Sequence, residues 1–438
     1  MSLTLKENFF WSFLGNGVYG VFQWLVIIVL CKMGSPEMVG HYALGISICT
    51  PVFVLASLNM RFVQATDAHH LFSFSHYWGL RLITSSLALL IVLLIVMTLG
   101  YQLELAGVIL MLGIFKLLEG LSDTIYGFLQ RNEQMNFIGI SLVIKSGLAL
   151  LALVITLSFG RQLFWGVSSL VLASALTLIW YDCFRCRQLL ASAHRLPVRR
   201  GFLDLVRTFR PAWEKTVTHR LVRISLPLGL VGMLVALTFN IPRYFIQHYW
   251  GAKVLGLYSA MFQLMLAGSV VTMALGQALQ PRLAIYFACR KIDAFCRTLA
   301  QAAGIAGLLG GVGLLFSLLF GKHLLTVFYN FEYARHASSF QWIMIAAIFY
   351  YIATILMFAV TAMRAFKNLL FPYTASVLLA GLSSWCLIPK FGIIGAAWSL
   401  CIINVFNGGS LTLTVALLLS KSFAEAIPSK EKSDGILY

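Results

Sequence analysis

Long apolar runs recur along the whole chain and constrain its fold more than any other feature. The run 224–239 contains no charged residue. With its flanks it is long enough to cross a hydrocarbon core of about 30 Å at about 1.5 Å per residue. Hydrophobic residues make up 60% of the 438 residues and charged residues only 11%. Because a water-soluble chain of this length could not bury so much apolar surface, we predict an all-α polytopic membrane protein.

The spacing of the apolar runs predicts about twelve membrane helices. They cover residues 9–31, 39–58, 78–100, 105–129, 136–159, 163–181, 222–246, 254–279, 298–320, 338–363, 370–388 and 392–419. This pattern predicts four domains: an N-terminal six-helix lobe (1–182), a basic cytoplasmic linker (183–221), a C-terminal six-helix lobe (222–420) and a cytoplasmic tail (421–438). With six helices each, both lobes start on the same side of the membrane, which is typical of parallel repeats. The echo between Val39-Gly40-His41-Tyr42 and Leu255-Gly256-Leu257-Tyr258 supports this prediction.

The positive charges are distributed asymmetrically between alternate loops. The net charge is +17, and most of the 32 Lys and Arg residues fall in the loops on the side of the N-terminus. By the positive-inside rule, both termini are predicted to be cytoplasmic. The basic residues separate apolar runs, so they indicate a membrane topology and no nucleic-acid partner.

The linker carries an apolar pattern within its basic sequence. Phe202, Leu205, Val206 and Phe209 recur at helical spacing. This spacing predicts an amphipathic helix on the inner leaflet, held by anionic membrane lipids. Alternatively, the basic residues only set the orientation of the chain in the membrane and bind no lipid, which explains the same charges equally well.

Three short motifs resemble cofactor or metal sites but do not predict one. The glycine pattern 15–20 lies within an apolar run and follows no strand, so close helix packing is the better explanation. The thiols Cys183 and Cys186 lack a second half-site for zinc. A third group, Asp67 with His69, His70 and His76, is interpreted as a solvated loop. We therefore predict no cofactor and no metal.

Ionisable residues at membrane depth carry more information, because each is costly to insert and requires a partner or a watery cavity. Lys116, Glu119 and Asp123 lie on one face of the fourth predicted helix. Lys116 is about 17 Å and Lys145 about 14 Å from the start of their helices, near the membrane midplane. Two such cations suggest an anionic ligand. A Lys116–Glu119 pair, with Lys145 held by a polar neighbour, is an equally good explanation.

Further polar residues extend these positions into a route across the membrane. Arg61 and Arg81 fall at the cytoplasmic ends of their helices and Arg243 near the outer end of the seventh. Anchoring at the membrane surface is the alternative role for all three. The candidates for contacts with sugar hydroxyls, or for bonds between helices, are Asn16, Gln23 and Asn240.

Four stretches of the chain resemble a known transporter family. They are LCKMGSPEMVGHYALGISICTPVF (30–53), LNMRFVQATDA (58–68), SLPLGLVGMLVALTFNIPRYFI (225–246) and ALGQALQPRLA (274–284). They resemble the Wzx-type O-antigen and polysaccharide flippases of the multidrug/oligosaccharidyl-lipid/polysaccharide exporter superfamily. The resemblance implies two six-helix lobes around a central cavity, as in the MATE transporters. It also implies an undecaprenyl-diphosphate-linked oligosaccharide as substrate, moved to the outer leaflet of a bacterial cytoplasmic membrane for O-antigen, capsule or exopolysaccharide synthesis.

The charged residues fit such a substrate. We expect capture of its diphosphate by Arg61 and Arg81, holding by Lys116 and Lys145, and release near Arg243. Membrane potential could drive the transport of a negative headgroup, or Glu119 or Asp123 could couple it to an ion. A glycan polymerase and chain-length proteins are possible partners. The alternative functions are a cation-coupled multidrug antiporter and, as an enzyme, a membrane-bound glycan polymerase or ligase.

Overall fold

The computed structural model describes residues 5–67, 71–160, 162–193 and 209–424. Within these ranges the chain is helical, with short connections. The helices are α1 Leu5–Met33, α2 Pro36–Ser57, α3 Met60–Ala65, α4 Phe74–Leu99, α5 Leu103–Arg131, α6 Met135–Gly160, α7 Leu163–Thr177, α8 Cys183–Ala193, α9 Lys215–Ala288, α10 Ile292–Phe328, α11 Phe331–Ala334, α12 Ala337–Ala362 and α13 Leu370–Ala424. A π-helical turn, Leu178–Asp182, joins α7 to α8, and a 3₁₀ turn, Phe366–Leu369, precedes α13.

Ten helical segments of the described chain are long and apolar enough to cross a membrane. Two of them, α9 and α13, are far longer than one crossing requires and are interrupted at Gly251 and Gly392. Both glycines have positive φ angles, 76° and 55°, which a residue without a Cβ adopts at little cost. Dividing α9 and α13 at these glycines gives twelve segments, but the number of membrane crossings stays a prediction.

The helices form the two lobes that the sequence predicts. In the first lobe α6 packs between α1 and α7, and α5 packs against α2, α4 and α7. In the second lobe α12 packs against α10 and α13, and α9 packs against α12 and α13. The lobes meet mainly where α9 runs along α2, with a smaller contact between α9 and α1. The domain boundaries themselves stay predictions.

The distribution of side chains is the one expected of a membrane protein. Large apolar side chains such as Leu103, Phe159 and Phe371 point outward and are 91%, 90% and 81% exposed. Many buried side chains are instead polar or charged, among them Arg81 and Lys145. Hydrocarbon solvates the apolar exterior, whereas the polar interior requires internal partners or water.

The sixth predicted helix does not end at residue 181. It continues through the π-helical turn into α8 and so extends the helical path to Ala193. Of the predicted amphipathic linker helix, Phe202, Leu205 and Val206 lie outside the described residues. Phe209 packs against Trp78 and Phe74 on α4, with ring centroids 4.9 and 5.7 Å apart.

The two lobes are joined differently on the two sides of the molecule. The side where α1 ends is called the opposite side, because it lies across the molecule from the side where α1 begins. There the Tyr329 hydroxyl lies 3.2 Å from Nε1 of Trp24, and it donates to the carbonyl of Ala260 at 2.8 Å. Nearby, the Cys31 Sγ lies 3.2 Å from the Tyr333 hydroxyl. On the side where α1 begins, called the basic side, a cavity of about 670 Å³ separates the lobes.

Candidate functional site

A series of connected cavities runs between the two lobes. From the basic side inward, cavities of about 670, 320 and 300 Å³ share lining residues, first Asn16 and Arg61 and then Tyr19, Gln23, Thr50 and Lys116. All ten candidate residues named from the sequence line this path. They are Asn16, Gln23, Arg61, Arg81, Lys116, Glu119, Asp123, Lys145, Asn240 and Arg243.

Two arginines near the basic side share one carboxylate. The Asp123 Oδ1 accepts from Nη1 of Arg61 and its Oδ2 accepts from Nη2 of Arg81, each at 3.3 Å. Arg61 also donates to the Gln130 side chain at 3.1 Å, and Arg81 donates to the Thr124 hydroxyl at 2.9 Å. Arg81 is only 1% exposed. Arg81 lies near the start of α4, as predicted, but its side chain is buried inside the first lobe, so it does not anchor the helix at the membrane surface.

An ion pair lies at the centre of the path. Nζ of Lys116 donates to Oε2 of Glu119 at 2.8 Å, and the Tyr19 hydroxyl donates to the other carboxylate oxygen. Lys116 and Glu119 are one turn apart on α5, so the pair forms within one helix. This is the pair that the alternative interpretation predicted, and it lines the cavity.

Lys145 is held by a buried polar cluster that includes an acid the sequence analysis missed. Its Nζ donates to the Ser122 hydroxyl at 3.3 Å, and that hydroxyl donates to Asp182 at 2.8 Å. The Ser141 hydroxyl donates to the other oxygen of Asp182. Asp182 is 1% exposed and lies on the π-helical turn, an irregularity often found at functional positions. The sequence offers one signal, an acid directly after an apolar helix.

Arg243 differs from the other cations of the path. It donates to the Asn240 side chain at 3.1 Å and to the Ser47 hydroxyl at 3.4 Å, and its guanidinium lies 4.7 Å from the centre of the Phe262 ring. No ion pair of the described residues includes Arg243. Its Nε is buried without a hydrogen-bond partner among the residues that the structure describes. The side chain therefore keeps both charge and donor capacity for a ligand.

The three candidates for sugar contacts are placed differently. The Asn16 amide donates to the carbonyl of Ser12 at 2.8 Å, and that of Asn240 donates to the carbonyl of Ala236 at 2.8 Å. Gln23 lines the inner two cavities. The innermost cavity is lined by the amides of Gln23 and Asn240 together with aromatic rings. The rings are those of Tyr19, Phe22, Tyr42, Phe115, Phe239 and Phe262.

The charge of the path is positive on balance. Five cations and two carboxylates line it, and Asp182 behind Lys145 adds a third acid, which leaves two positive charges in excess. Two of the carboxylates sit within ion pairs, so they are occupied by protein cations. The path is therefore suited to an anion.

The loop that carries Asp67 has a structural role. Asp67 accepts hydrogen bonds from the backbone N–H groups of Leu71 and Phe72 at 3.0 and 3.1 Å. His76 bonds to Ser73, at the start of α4. His69 and His70 lie outside the described residues. Among the residues that the structure describes, no group of three His, Cys, Asp or Glu side chains is arranged to hold a metal ion.

Solved structures with the same architecture are transporters. An inward-facing multidrug resistance MATE family transporter of the MOP superfamily superimposes with a TM-score of 0.63 and 14% identity, covering 97% of this chain and 96% of that one. An outward-facing structure of a multidrug resistance MATE family transporter superimposes with a TM-score of 0.64 and 14% identity, covering 95% of this chain and 94% of that one. A MOP superfamily transporter from Pyrococcus furiosus is described as having a binding pocket of reverse polarity. It superimposes with a TM-score of 0.60 and 14% identity, covering 95% of this chain and 94% of that one. The fold is that of this transporter superfamily.

Sequence relatives indicate the biological process. The capsular polysaccharide biosynthesis protein CapF of Staphylococcus aureus is 25% identical over 401 residues, which cover 91% of this chain and 96% of that protein. The family described as polysaccharide biosynthesis protein matches residues 5–287, more than half of the chain. The apolar helices make this a multi-pass membrane protein, the fold is one found in transporters, and the matching family indicates a polysaccharide-related role. The chain belongs to the polysaccharide biosynthesis protein family.

Proposed function

We propose that this protein is a flippase that moves an undecaprenyl-diphosphate-linked oligosaccharide from the inner to the outer leaflet of a bacterial cytoplasmic membrane. The cationic path between the lobes is the observation that carries the proposal. A diphosphate diester has a negative charge on each phosphate, and the path has two positive charges in excess. Membership of a polysaccharide biosynthesis family supports a glycan as the group attached to the phosphates.

The substrate's two chemically different ends fit different parts of the path. Arg61 and Lys116 offer the diphosphate charge-assisted hydrogen bonds, while amides such as Gln23 can both donate to and accept from sugar hydroxyls. A groove of about 300 Å³ between α1 and α9, lined by Phe13 and Met273, continues from the cavity. A polyprenyl chain in this groove would stay in contact with lipid while its headgroup enters the path.

The sidedness of the proposal follows from the charge distribution. The positive-inside rule places the basic side in the cytoplasm, which makes the present arrangement open inward. The sugar unit would then be released on the other side by alternating access, where a glycan polymerase and chain-length proteins can use it. Both termini would be cytoplasmic.

The membrane potential is the proposed driving force. Moving one negative charge outward is favourable by about 2.3 kcal/mol per 100 mV in an inside-negative cell. Coupling to an ion through Glu119 or Asp123 is the competing mechanism, although both carboxylates pair with cations here. A cation-coupled multidrug antiporter would require these carboxylates to exchange their arginine or lysine partners for the drug or ion.

Transport in proteoliposomes tests the proposal. Undecaprenyl-diphosphate oligosaccharide is incorporated, and its exposure to an external lectin is followed with and without an imposed potential. We expect protein-dependent exposure that is faster when the potential drives anions outward. Arg243→Gln should slow it at least about tenfold, because a hydrogen bond to a charged group contributes about 1.5–3 kcal/mol.

Matched variants make the test specific. Arg282→Gln removes an exposed cation of the same helix that does not line the path, so its rate should equal that of the wild-type protein. Arg243→Lys keeps the charge and should retain part of the activity. Equal rates for Arg243→Gln and the wild type would refute the role of Arg243, and no lectin exposure with any glycan donor would refute the flippase itself.

A further inference from the structure

A second cationic cavity lies outside the central path, where the two lobes meet on the basic side. This seam groove has a volume of about 550 Å³. Its first-lobe wall is α3 and the residue after it, and its second-lobe wall is the start of α9 with the turn that follows α12. The lining residues are Phe62, Val63, Thr66, Arg223, Ile224, Pro227, Leu228, Arg364, Ala365, Phe366, Lys367 and Asn368.

The charge of the seam groove is unbalanced. Arg223, Arg364 and Lys367 all line it, and none of its lining residues is acidic. All three cations are exposed, and none takes part in an ion pair with another described residue. In this they differ from Arg61 and Arg81, whose charges are shared with Asp123. The seam groove therefore has capacity for an anion that the described residues do not fill.

Apart from Thr66 and Asn368, the rest of the lining is apolar, and it reaches the lipid-facing surface. Phe62 and Phe366 approach each other across the lobes, with ring centroids 6.3 Å apart. Ile224 and its neighbour Leu226 are 45% and 40% exposed, as is typical of a helix surface in contact with lipid. A free anion would leave this apolar surface uncovered, whereas an amphiphile with a phosphate and acyl chains would cover both parts.

We propose that the seam groove binds an anionic phospholipid, whose phosphate group contacts Arg223, Arg364 and Lys367 and whose acyl chains lie along Phe62 and Ile224. This proposal is independent of the transported substrate. Because the walls belong to different lobes, the lipid stabilises the arrangement of the lobes in which the groove exists. The wall is shared with the central path, since Phe62, Leu228 and Phe366 line both. The neighbouring Arg61 lies on the path side of α3.

Native mass spectrometry of the full chain in detergent measures the binding directly. Phosphatidylglycerol and phosphatidylcholine with identical acyl chains are titrated in parallel, and inorganic phosphate is added as a competitor. We expect retention of phosphatidylglycerol and little of phosphatidylcholine. The variant Arg223→Gln/Arg364→Gln/Lys367→Gln should bind phosphatidylglycerol at least about tenfold more weakly, since each basic residue near an anionic lipid contributes to its affinity.

A charge-matched variant provides the control. Arg282→Gln/Lys291→Gln/Arg297→Gln removes three exposed cations of the second lobe that lie outside the seam groove, and it should bind like the wild type. Equal weakening by both triple variants would show general charge attraction and overturn the proposal. Displacement by inorganic phosphate at the same concentration as the lipid would also overturn it, because the acyl chains would then contribute nothing.

Photo-crosslinking keeps the proposal testable if the triple variant does not fold. A phosphatidylglycerol that carries a photoreactive group is crosslinked to the wild-type chain, and the labelled peptides are identified. Labels in the segments 62–66 and 364–368 would support the proposal. Labels confined to other parts of the chain would overturn it.

Discussion

Lys145 and Asp182 show how single residues are stabilised at membrane depth. Each is almost completely buried, and the Ser122 hydroxyl lies between them as acceptor from one and donor to the other. Neither charge is tolerable alone in a low-dielectric interior, because desolvation of an unpaired ion is costly. The cluster therefore allows Lys145 to line the path as a cation without disrupting the lobe.

This dependence predicts a strong coupling between the two residues. Asp182→Ala leaves the Lys145 charge uncompensated and should lower the free energy of unfolding by about 3 kcal/mol. Lys145→Met should also lower the free energy of unfolding. The loss in the double variant should be smaller than the sum of the two single losses by about 1–3 kcal/mol. Denaturation of all four proteins in mixed micelles measures the cycle. Additive effects would show that the two charges do not interact.

The depth of individual side chains could be predicted from the sequence, but their partners could not. Counting residues along an apolar run places Lys116 and Lys145 near the midplane, because the helical rise is constant. The ion pair of Lys116 could also be predicted, since Glu119 is on the same helix. In contrast, the carboxylate of Asp123 accepts hydrogen bonds from arginines that lie on two other helices. Such contacts depend on how the helices are arranged, which the local sequence does not specify.

At the scale of whole helices, the contact between α2 and α9 is set by two glycines. A Cβ on Gly40 would lie 1.8 Å from the carbonyl oxygen of Ala252, and one on Gly256 would lie 1.9 Å from that of Pro36 and 3.0 Å from the Gly40 nitrogen. These are the glycines of the repeated Val-Gly-His-Tyr and Leu-Gly-Leu-Tyr motifs. The sequence echo thus corresponds to a contact between equivalent helix starts, where small residues allow backbones to approach closely.

A methyl group at this contact should force the two helices apart. We expect Gly40→Ala to lower the free energy of unfolding by about 1–3 kcal/mol, the usual effect of overpacking a dense interface. Gly147→Ala on α6 is the matched control, because a Cβ there has no neighbour within 4 Å in the described part of the chain. The control should be neutral or stabilise by up to about 1 kcal/mol, since alanine has the higher helix propensity. Thermal unfolding in detergent distinguishes the two variants. An equal change in their unfolding temperatures would contradict the packing role of Gly40.

The ends of the helices were harder to predict than their order along the chain. Hydropathy finds the apolar centre of each helix but not its polar extension, so α8 and the short α3 were missed. Leu58 and Asn59 both adopt left-handed backbone, with φ near 49°, which separates α3 from α2. The region 321–337, which lies between two predicted helices, contains the end of α10 and all of α11. These features depend on packing against other helices, since α3 and α8 pack against α5 and α11 packs against α10.

At the scale of the whole molecule, the two sides of the lobe interface cannot both be open in alternating access. The structure has a large cavity on the basic side, and hydrogen bonds from Trp24 and Cys31 to the tyrosines of the second lobe on the opposite side. Those tyrosines belong to a short segment between α10 and α12. We therefore expect the contacts of Tyr329 and Tyr333 to form in the inward-open state and to break when the other side opens.

Cys31 provides a natural reporter of that opening. Its side chain is 2% exposed beside Tyr333, so a membrane-impermeant maleimide should react with it only when the opposite side opens. In a chain whose other cysteines are replaced by serine, Tyr329→Phe removes a hydroxyl that bonds to Trp24 and Ala260. The closed state of this side should lose about 1 kcal/mol of stabilisation. The labelling rate of Cys31 should therefore rise about fivefold.

The reciprocal change on the basic side decides whether this is alternating access or local loosening. Asn59 lines the basic-side cavity, and Asn59→Cys reports its exposure in a chain that lacks Cys31. If the lobes rotate as units, Tyr329→Phe should slow labelling of this cysteine while it speeds labelling of Cys31, because one population grows only as the other shrinks. Faster labelling of Cys31 with no change at position 59 would mean that the tyrosine segment opens alone, and the two sides would then be uncoupled.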